Sequence, residues 1–253
     1  MVTAEQLQSI MPVLSSKRNT EFLPFLQAAM TEFAIERPAR AAAFLAQLAH
    51  ESGQFRFMEE IWGPTAAQRR YEPLSSLATD LGNTQAGDGK RFKGRGPIQI
   101  TGRANYRRFG DLLGVGLVSE PARAAVPELA FRIAGLFWSK KGLNELADLA
   151  TADAFREITR RINGGFNGLE DRRKFYAAAC AVLGVPHAPA TRGGKRGVPV
   201  PGAGEEPEFE RGREAIHGDE AIRRQARRKR ARKAAPARRT AKKQPRARPK
   251  RGK

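Results

Sequence analysis

Apolar residues recur at helical spacing through most of residues 3–184, and this pattern predicts one mostly α-helical unit. Thr3 is placed to cap a short first helix that runs to about Met11. The Ala-rich segment at residues 38–50 is a particularly strong helix former. Further helices are predicted over residues 17–34, 105–113, 122–138, 152–162 and 169–183.

The pattern changes between residues 62 and 103, where glycine and proline interrupt a largely irregular stretch. Within it, only residues 97–101 have the apolar character of a strand. About forty glycine-rich residues inside a compact domain indicate functional surface more than packing. Gln99 and Thr101 lie two positions apart, so an extended backbone would point both side chains the same way.

The positive charge of the chain is concentrated at its C-terminal end. The 253 residues carry a formal net charge of +20, and 17 of the 46 Lys and Arg residues lie in residues 221–253, where no Asp or Glu occurs. We therefore predict a folded domain over residues 1–185, a flexible linker over residues 186–220 and a disordered Lys/Arg-rich tail over residues 221–253. Such a tail binds anionic envelope polymers or lipid, with non-specific nucleic acid and a merely solubilising role as alternatives.

Cysteine and histidine usage favours neither a disulfide framework nor a metal site. Cys180 is the single cysteine, and the histidines are His50, His187 and His217, so we expect no metal and no cofactor. The N-terminus lacks the basic start and apolar core of a secretory signal, and no apolar stretch is long enough to span a bilayer. We expect a monomer that is synthesised in the cytoplasm without a signal peptide.

Two glutamates near the end of the Ala-rich segment could perform acid–base chemistry. Glu51 follows that helix at the boundary between an apolar interior and an open loop, where burial disfavours the ionised form, as a general acid working near neutral pH requires. Glu60 stands nine residues further on, across a glycine-containing turn. Glycosidic hydrolysis needs such a pair, one carboxyl to protonate the leaving oxygen and one to activate water or attack carbon. The alternative is that both are solvated surface charges.

Four separated motifs, in this order, resemble glycoside hydrolase family 19, the family of chitinases and of related phage and bacterial cell-wall lysins. They are His-Glu-Ser-Gly at residues 50–53, Phe-Lys-Gly-Arg-Gly-Pro-Ile-Gln-Ile-Thr at 92–101, Asn-Tyr at 105–106 and Ile-Asn-Gly-Gly at 162–165. The lead-in at residues 82–89 and the Thr-Gly-Arg at 101–103 resemble the lysin-like members more than the plant chitinases. The resemblance implies a mostly α, two-lobed, lysozyme-like helical domain with a central cleft.

The resemblance also implies roles for individual residues. Glu51 matches the general acid and Glu60 the general base, while Glu59 and Glu72 stay open as alternatives for the base. Thr101 matches the residue that positions the attacking water. The positions that match substrate-contacting residues are Gln99, Asn105, Asn163 and Arg172.

The implied activity is inverting endo-hydrolysis of β-1,4 bonds in N-acetylamino-sugar polymers. Peptidoglycan is favoured, as for an endolysin or muramidase that lyses the cell wall, and the enzyme would then act at the wall or in the periplasm after release. Chitin is the alternative substrate, although Asn167 stands where many chitinases carry Glu. The alternative of another class is a non-catalytic protein that binds an anionic polymer or nucleic acid.

Overall fold

Residues 1–186, which the computed structural model describes, form eleven α-helices and one short 3₁₀ helix at Pro121–Ala125. The predicted basic tail and all but the first residue of the predicted linker lie outside the described residues. The α-helices are α1 (Ala4–Ile10), α2 (Ser16–Glu32), α3 (Pro38–Glu51), α4 (Ala66–Arg69), α5 (Ser76–Asp80), α6 (Asp88–Arg91), α7 (Arg103–Leu113), α8 (Pro127–Lys140), α9 (Leu143–Asp148), α10 (Ala152–Asn163) and α11 (Leu169–Leu183).

Capping residues mark the start of α1 and the ends of α10 and α11. Thr3 accepts a hydrogen bond from the Gln6 backbone N–H at 3.2 Å, and the Gln6 side chain accepts one from the Thr3 N–H at 2.9 Å, so α1 starts with a complete capping box. Gly164 follows α10 with φ +70° and Gly184 follows α11 with φ +67°, the left-handed conformation that ends many helices. A mostly helical domain is therefore confirmed.

Two predicted elements are wrong. Residues 97–101 are not a strand: residues 96–99 form a turn between Arg95 and Ile100, whose backbones exchange hydrogen bonds of 3.1 and 3.0 Å, and Gln99 within it has φ +57°. The helix predicted over residues 122–138 is broken before Pro127, which begins α8, because proline fits the first turn of a helix and not its interior. Three short helices, α4 to α6, also interrupt the stretch predicted as irregular.

Two groups of buried apolar side chains hold the domain together. The larger group surrounds α3, whose residues from Ala41 to Ala49 are all buried, and it includes edge-to-face contacts of Phe55 and Phe22 with Phe131. The smaller group lies in the glycine-rich stretch and comprises Tyr71, Leu77 and Leu81, with Trp62 packed against them. The domain thus consists of a helical body and a glycine-rich segment, residues 62–103, which contributes Phe92, Ile98 and Ile100 to the larger group and forms the smaller group by itself. No helix in residues 1–186 is both long and apolar enough to cross a membrane.

Candidate active site

Glu51 is the last residue of α3 and is only 3% exposed. Its Oε1 accepts a hydrogen bond from Nη2 of Arg172, near the start of α11, and Nη1 of the same guanidinium donates to Oε1 of Gln47. The Gln47 amide in turn donates to Oγ1 of Thr159 on α10 at 2.9 Å. Residues four apart lie on one face of a helix, so Gln47 and Glu51 present their side chains together to α10 and α11.

The surroundings of Glu51 differ from the apolar boundary that the sequence indicates. Arg172 is 1% exposed, so the two side chains form a buried ion pair. Burial disfavours the charged carboxylate, whereas the guanidinium favours it, so the two effects oppose each other. The role of Arg172 as a substrate contact stays a prediction; in the structure its guanidinium is directed at Gln47 and Glu51.

The chain leaves Glu51 through a left-handed turn. Gly53, Gln54 and Phe55 have φ values of +57°, +62° and +58°, a conformation that is costly for the two that are not glycine. Arg18, on α2, donates through Nη1 to the carbonyl oxygen of Phe55 at 2.7 Å and to that of the next residue at 2.8 Å. The Gln54 side chain accepts the backbone N–H of Val13 at 2.9 Å. Contacts from the N-terminal helices therefore hold this turn in place.

Glu60 lies beyond the turn and is 4% exposed. Its Oε2 accepts the backbone N–H of Gly94 at 2.9 Å, and its Oε1 accepts Nε2 of Gln68 at 2.8 Å. The Glu60 backbone N–H donates to the Gly94 carbonyl at 2.8 Å, which fixes the two chain segments side by side. Both carboxylate oxygens are thus occupied by neutral donors.

Gly94 contacts Glu60 through its backbone and lies beside Thr101, the predicted water-positioning residue. A Cβ atom built on Gly94 would lie 2.7 Å from Oε1 of Gln99 and 3.4 Å from Oγ1 of Thr101, so a side chain at this position would require the Gln99 amide to move. Thr101 Oγ1 donates to the Gln99 carbonyl at 3.1 Å, while Gln99 Oε1 is buried without a hydrogen-bond partner. The two side chains do share one side, as predicted, but through the turn and not through an extended strand.

The two alternatives for the general base have other partners. Glu59 is 45% exposed at its side chain and pairs with Nε of Arg95 at 2.9 Å and with Nζ of Lys93 at 3.3 Å. Glu72 accepts the backbone N–H of Gly87 at 2.8 Å through Oε2. Of the three glutamates, Glu60 is the one hydrogen-bonded to the glycine that Gln99 and Thr101 surround.

Asn105 and Asn163 are the two remaining residues that are predicted to contact substrate. Asn105 donates through Nδ2 to the Thr101 carbonyl at 2.7 Å and is partly exposed. Asn163, at the end of α10, is 2% exposed and donates through Nδ2 to the Asn167 carbonyl at 3.2 Å. Asn105 is therefore placed next to the predicted water-positioning residue, whereas Asn163 closes the loop that leads to Arg172.

Two functional features were missed at the sequence level. Gln68, the partner of Glu60, is fully buried on α4; the spacing Thr65-x-x-Gln68, typical of a capping box, could have indicated its helix but not its contact with Glu60. The second feature is a buried ion pair in which Asp88 accepts from Nε of Arg103 at 2.8 Å and from Nη2 at 2.5 Å. Both members of this pair belong to the segments that resemble lysin-like proteins.

The Asp88 carboxylate is also held by the backbone N–H groups of Thr84 and Gln85, at 2.9 and 3.0 Å. Burial raises the pKa of Asp88, but the hydrogen bonds from Arg103 and from these two N–H groups outweigh it and hold the pKa below its ordinary value. Asp88 is therefore a structural anion of the glycine-rich segment. Within residues 1–186, no three or more His, Cys, Asp or Glu side chains are grouped so as to hold a metal ion.

Comparisons with known proteins place the chain in a family. The family model described as "Chitinase class I" matches residues 23–152. A Haemophilus influenzae protein, "Glycosyl hydrolase family 19 domain-containing protein", is 36% identical over 160 residues, which cover 54% of this chain and 76% of that protein. "Endochitinase At2g43610" of Arabidopsis thaliana is 39% identical over 152 residues, 57% of this chain and 48% of that one. The chain thus spans about half the length of this plant relative.

Solved structures agree with the fold. Chitinase C from Streptomyces griseus matches with a TM-score of 0.58 at 23% identity, over 75% of this chain and 79% of that chain. A family 19, class IV chitinase from Zea mays matches with a TM-score of 0.55 at 25% identity, over 74% of this chain and 95% of that chain. The predicted lysozyme-like helical fold is confirmed by these likenesses.

Proposed function

Because the chain belongs to glycoside hydrolase family 19, we propose that it is an inverting endo-glycosidase that hydrolyses β-1,4 bonds of N-acetylamino-sugar polymers, with peptidoglycan as its substrate. Glu51 donates a proton to the bridging oxygen, and Glu60 takes a proton from the water that attacks the opposite face of the sugar. No covalent intermediate forms, so the product has the inverted configuration at the anomeric carbon.

The contrast between the two buried carboxyls is the observation that carries this proposal. Glu60 is fixed through both oxygens by neutral donors, next to the glycine that Thr101 and Gln99 surround, which suits a base that must hold one water in one place. Glu51 is fixed at the end of α3 by Arg172, which leaves the direction of its carboxyl defined. An inverting pair needs about 6.5–9.5 Å between its carboxyls to admit the water.

Peptidoglycan is supported by the part of the site that surrounds Asp88. The segments that resemble lysin-like proteins, residues 82–89 and 101–103, are joined by the Asp88–Arg103 ion pair, so they form one structural unit. Thr101, the predicted water-positioning residue, is the first residue of the second segment. Asn167, which many chitinases replace with Glu, contributes its carbonyl to the loop before α11.

Chitin is the second candidate substrate. The plant relatives in the comparison carry the name endochitinase, and the family model is described as "Chitinase class I". Glu51, Glu60 and Thr101 would act on chitin in the same way, since both polymers present a β-1,4 bond beside an N-acetyl group.

The experiment compares purified peptidoglycan with soluble chitin oligomers, using the full chain and Glu51→Gln as the matched inactive variant. Mass spectrometry of the fragments reports the bond that is cleaved and the sugar at the new reducing end. NMR of the first product reports its anomeric configuration. We expect muropeptide fragments and an α-anomer; fragments from chitin alone would overturn the substrate, and a first-formed β-anomer would overturn the inverting mechanism.

A further inference from the structure

Gln68 uses every hydrogen-bonding position of its side-chain amide although it is fully buried. Its Oε1 accepts the backbone N–H of Thr65 at 2.8 Å and that of Gly63 at 3.1 Å, and its Nε2 donates to Glu60 Oε1 at 2.8 Å and to the Ile61 carbonyl at 3.0 Å. The oxygen of the amide therefore contacts backbone N–H groups only, whereas its nitrogen contacts the Glu60 carboxylate and one backbone carbonyl.

The contact with backbone does not by itself require glutamine. Thr65 and Gln68 form the capping box of α4, and glutamate serves this position as well as glutamine does. A glutamate would accept the same two N–H groups. It would, however, place a second carboxylate against Glu60, and two carboxylates at hydrogen-bond distance repel each other unless they share a proton. The amide nitrogen is required instead by the contacts with Glu60 and with the Ile61 carbonyl, and of these two acceptors only Glu60 has a proposed part in the reaction.

The other oxygen of Glu60 is held by a backbone N–H, which no side-chain substitution removes. Gln68 is thus the replaceable half of the pair of donors that orients the carboxylate. Without it, the carboxylate keeps one hydrogen bond and can rotate about that contact, and a reacting group displaced by about 1 Å can lose about 10²-fold in rate.

We propose that Gln68 is a positioning residue for the reaction, which holds the Glu60 carboxylate in the orientation that activates water. This inference rests on the proposed role of Glu60 as the general base. Gln68 is 0% exposed, so it acts through Glu60 and does not contact the substrate.

The test is the substitution Gln68→Glu, which keeps the capping contacts and removes the donor. We expect kcat to fall about 10- to 100-fold at neutral pH, by the misplacement effect, with KM changed by no more than about twofold. As the pH is lowered and the two carboxyls come to share one proton, Glu at this position becomes an O–H donor to Glu60. The ratio of variant to wild-type kcat should therefore rise towards acidic pH.

Two comparison variants make the test specific. Gln68→Met removes both ends of the amide and should lose kcat by a similar factor, without recovery at acidic pH; it also serves if Gln68→Glu does not fold. Gln27→Glu removes a comparable side-chain donor, to the Val2 carbonyl at 2.8 Å, away from Glu60 and should leave kcat unchanged. A loss of kcat by the same factor at every pH in Gln68→Glu, or a change confined to KM, would overturn the proposal.

A double-mutant comparison separates this inference from the proposed function. If Gln68 acts through Glu60, Gln68→Glu should add little to the loss of kcat that Glu60→Gln causes alone. If the two losses multiply, Gln68 acts by another route and the inference fails while the base stands. If Glu60→Gln keeps wild-type turnover, the proposed base itself is wrong.

Discussion

The two carboxyls of the site are held in opposite ways. Glu51 belongs to the helical body, and its partner is the cationic Arg172, itself buried. Glu60 lies just before the glycine-rich segment, and both of its oxygens accept from neutral groups of that segment, the backbone N–H of Gly94 and the amide of Gln68. Removing one member of a buried ion pair leaves the other as an uncompensated charge, whereas removing a carboxylate that is held by neutral donors leaves only uncharged groups to be satisfied and costs less. Stability and chemistry should therefore be coupled at Glu51 and nearly separable at Glu60.

The largest effect is expected from Glu51→Gln, which should lower both the turnover and the stability of the protein. Loss of the proton donor should lower kcat about 10²- to 10⁴-fold. Loss of the charge leaves Arg172 buried without its counter-ion, which should cost about 3–5 kcal/mol of unfolding free energy. Turnover measured well below the melting temperature, together with urea denaturation, checks both. Wild-type turnover would contradict the assignment of Glu51 as the acid. Unchanged stability would contradict the expected coupling of stability and chemistry at Glu51.

Glu60→Gln should lower kcat by a comparable factor, about 10²-fold or more. Its cost in stability should be smaller, about 1–3 kcal/mol, because the donors to Glu60 in these two hydrogen bonds are neutral. The substitution therefore leaves neither donor as an unpaired buried charge. Glu59→Gln and Glu72→Gln are the matched controls, since each removes one of the other two carboxylates considered for the base, and both should keep most of the activity. If either control loses more turnover than Glu60→Gln, that glutamate takes over as the base.

Adjacent arginines on α11 test the ion pair from its other side. Arg172→Met takes the guanidinium away from the buried Glu51 carboxylate and should cost about 3–5 kcal/mol. Arg173→Met removes an exposed arginine that pairs with Glu170 at 2.7 Å and should cost no more than about 1 kcal/mol. Thermal and urea denaturation of the two variants give the comparison directly. Equal costs would mean that the buried pair contributes no more than a surface pair.

The smallest expected effect concerns Asp88, the anion that stabilises the glycine-rich segment. Because its pKa is lower in the folded state, its contribution is fully present above the unfolded value of about 3.9 and is lost as the pH falls through the lower folded value. Asp88→Asn should therefore destabilise the protein at neutral pH, and the difference from wild type should shrink below about pH 4. Denaturation at a series of pH values measures this; a difference independent of pH would contradict it.

Local signals were enough for much of the helical body. The predicted helix over residues 169–183 coincides with α11, and α3 extends one residue beyond its predicted end, because apolar periodicity and terminal glycines are properties of the sequence itself. The start of α8 at Pro127 could also have been predicted from the sequence, since proline is common at the first position of a helix.

The glycine-rich segment could not be predicted in the same way. Residues 97–101 have the apolar character of a strand. Within residues 1–186, however, their only pairing of the β type is the isolated bridge between Ile100 and Arg95. Glu60 reaches Gly94 across 34 positions, and Glu51 reaches Arg172 across 121. Such partners are chosen by tertiary packing, so the motif resemblance could indicate the residue types but not Gln68 or the ion pair of Glu51.

The left-handed turn at Gly53–Phe55 limits how the proposed catalytic pair could be transplanted. Residues 51–60 look like a self-contained cassette, since they include both glutamates and only eight residues between them. Their path, however, depends on a guanidinium from α2 and on the Val13 N–H, which offset the unfavourable backbone conformation. A graft onto a new scaffold would have to bring α2 and the preceding loop along with the cassette, or replace Gln54 and Phe55 with residues that adopt positive φ unaided.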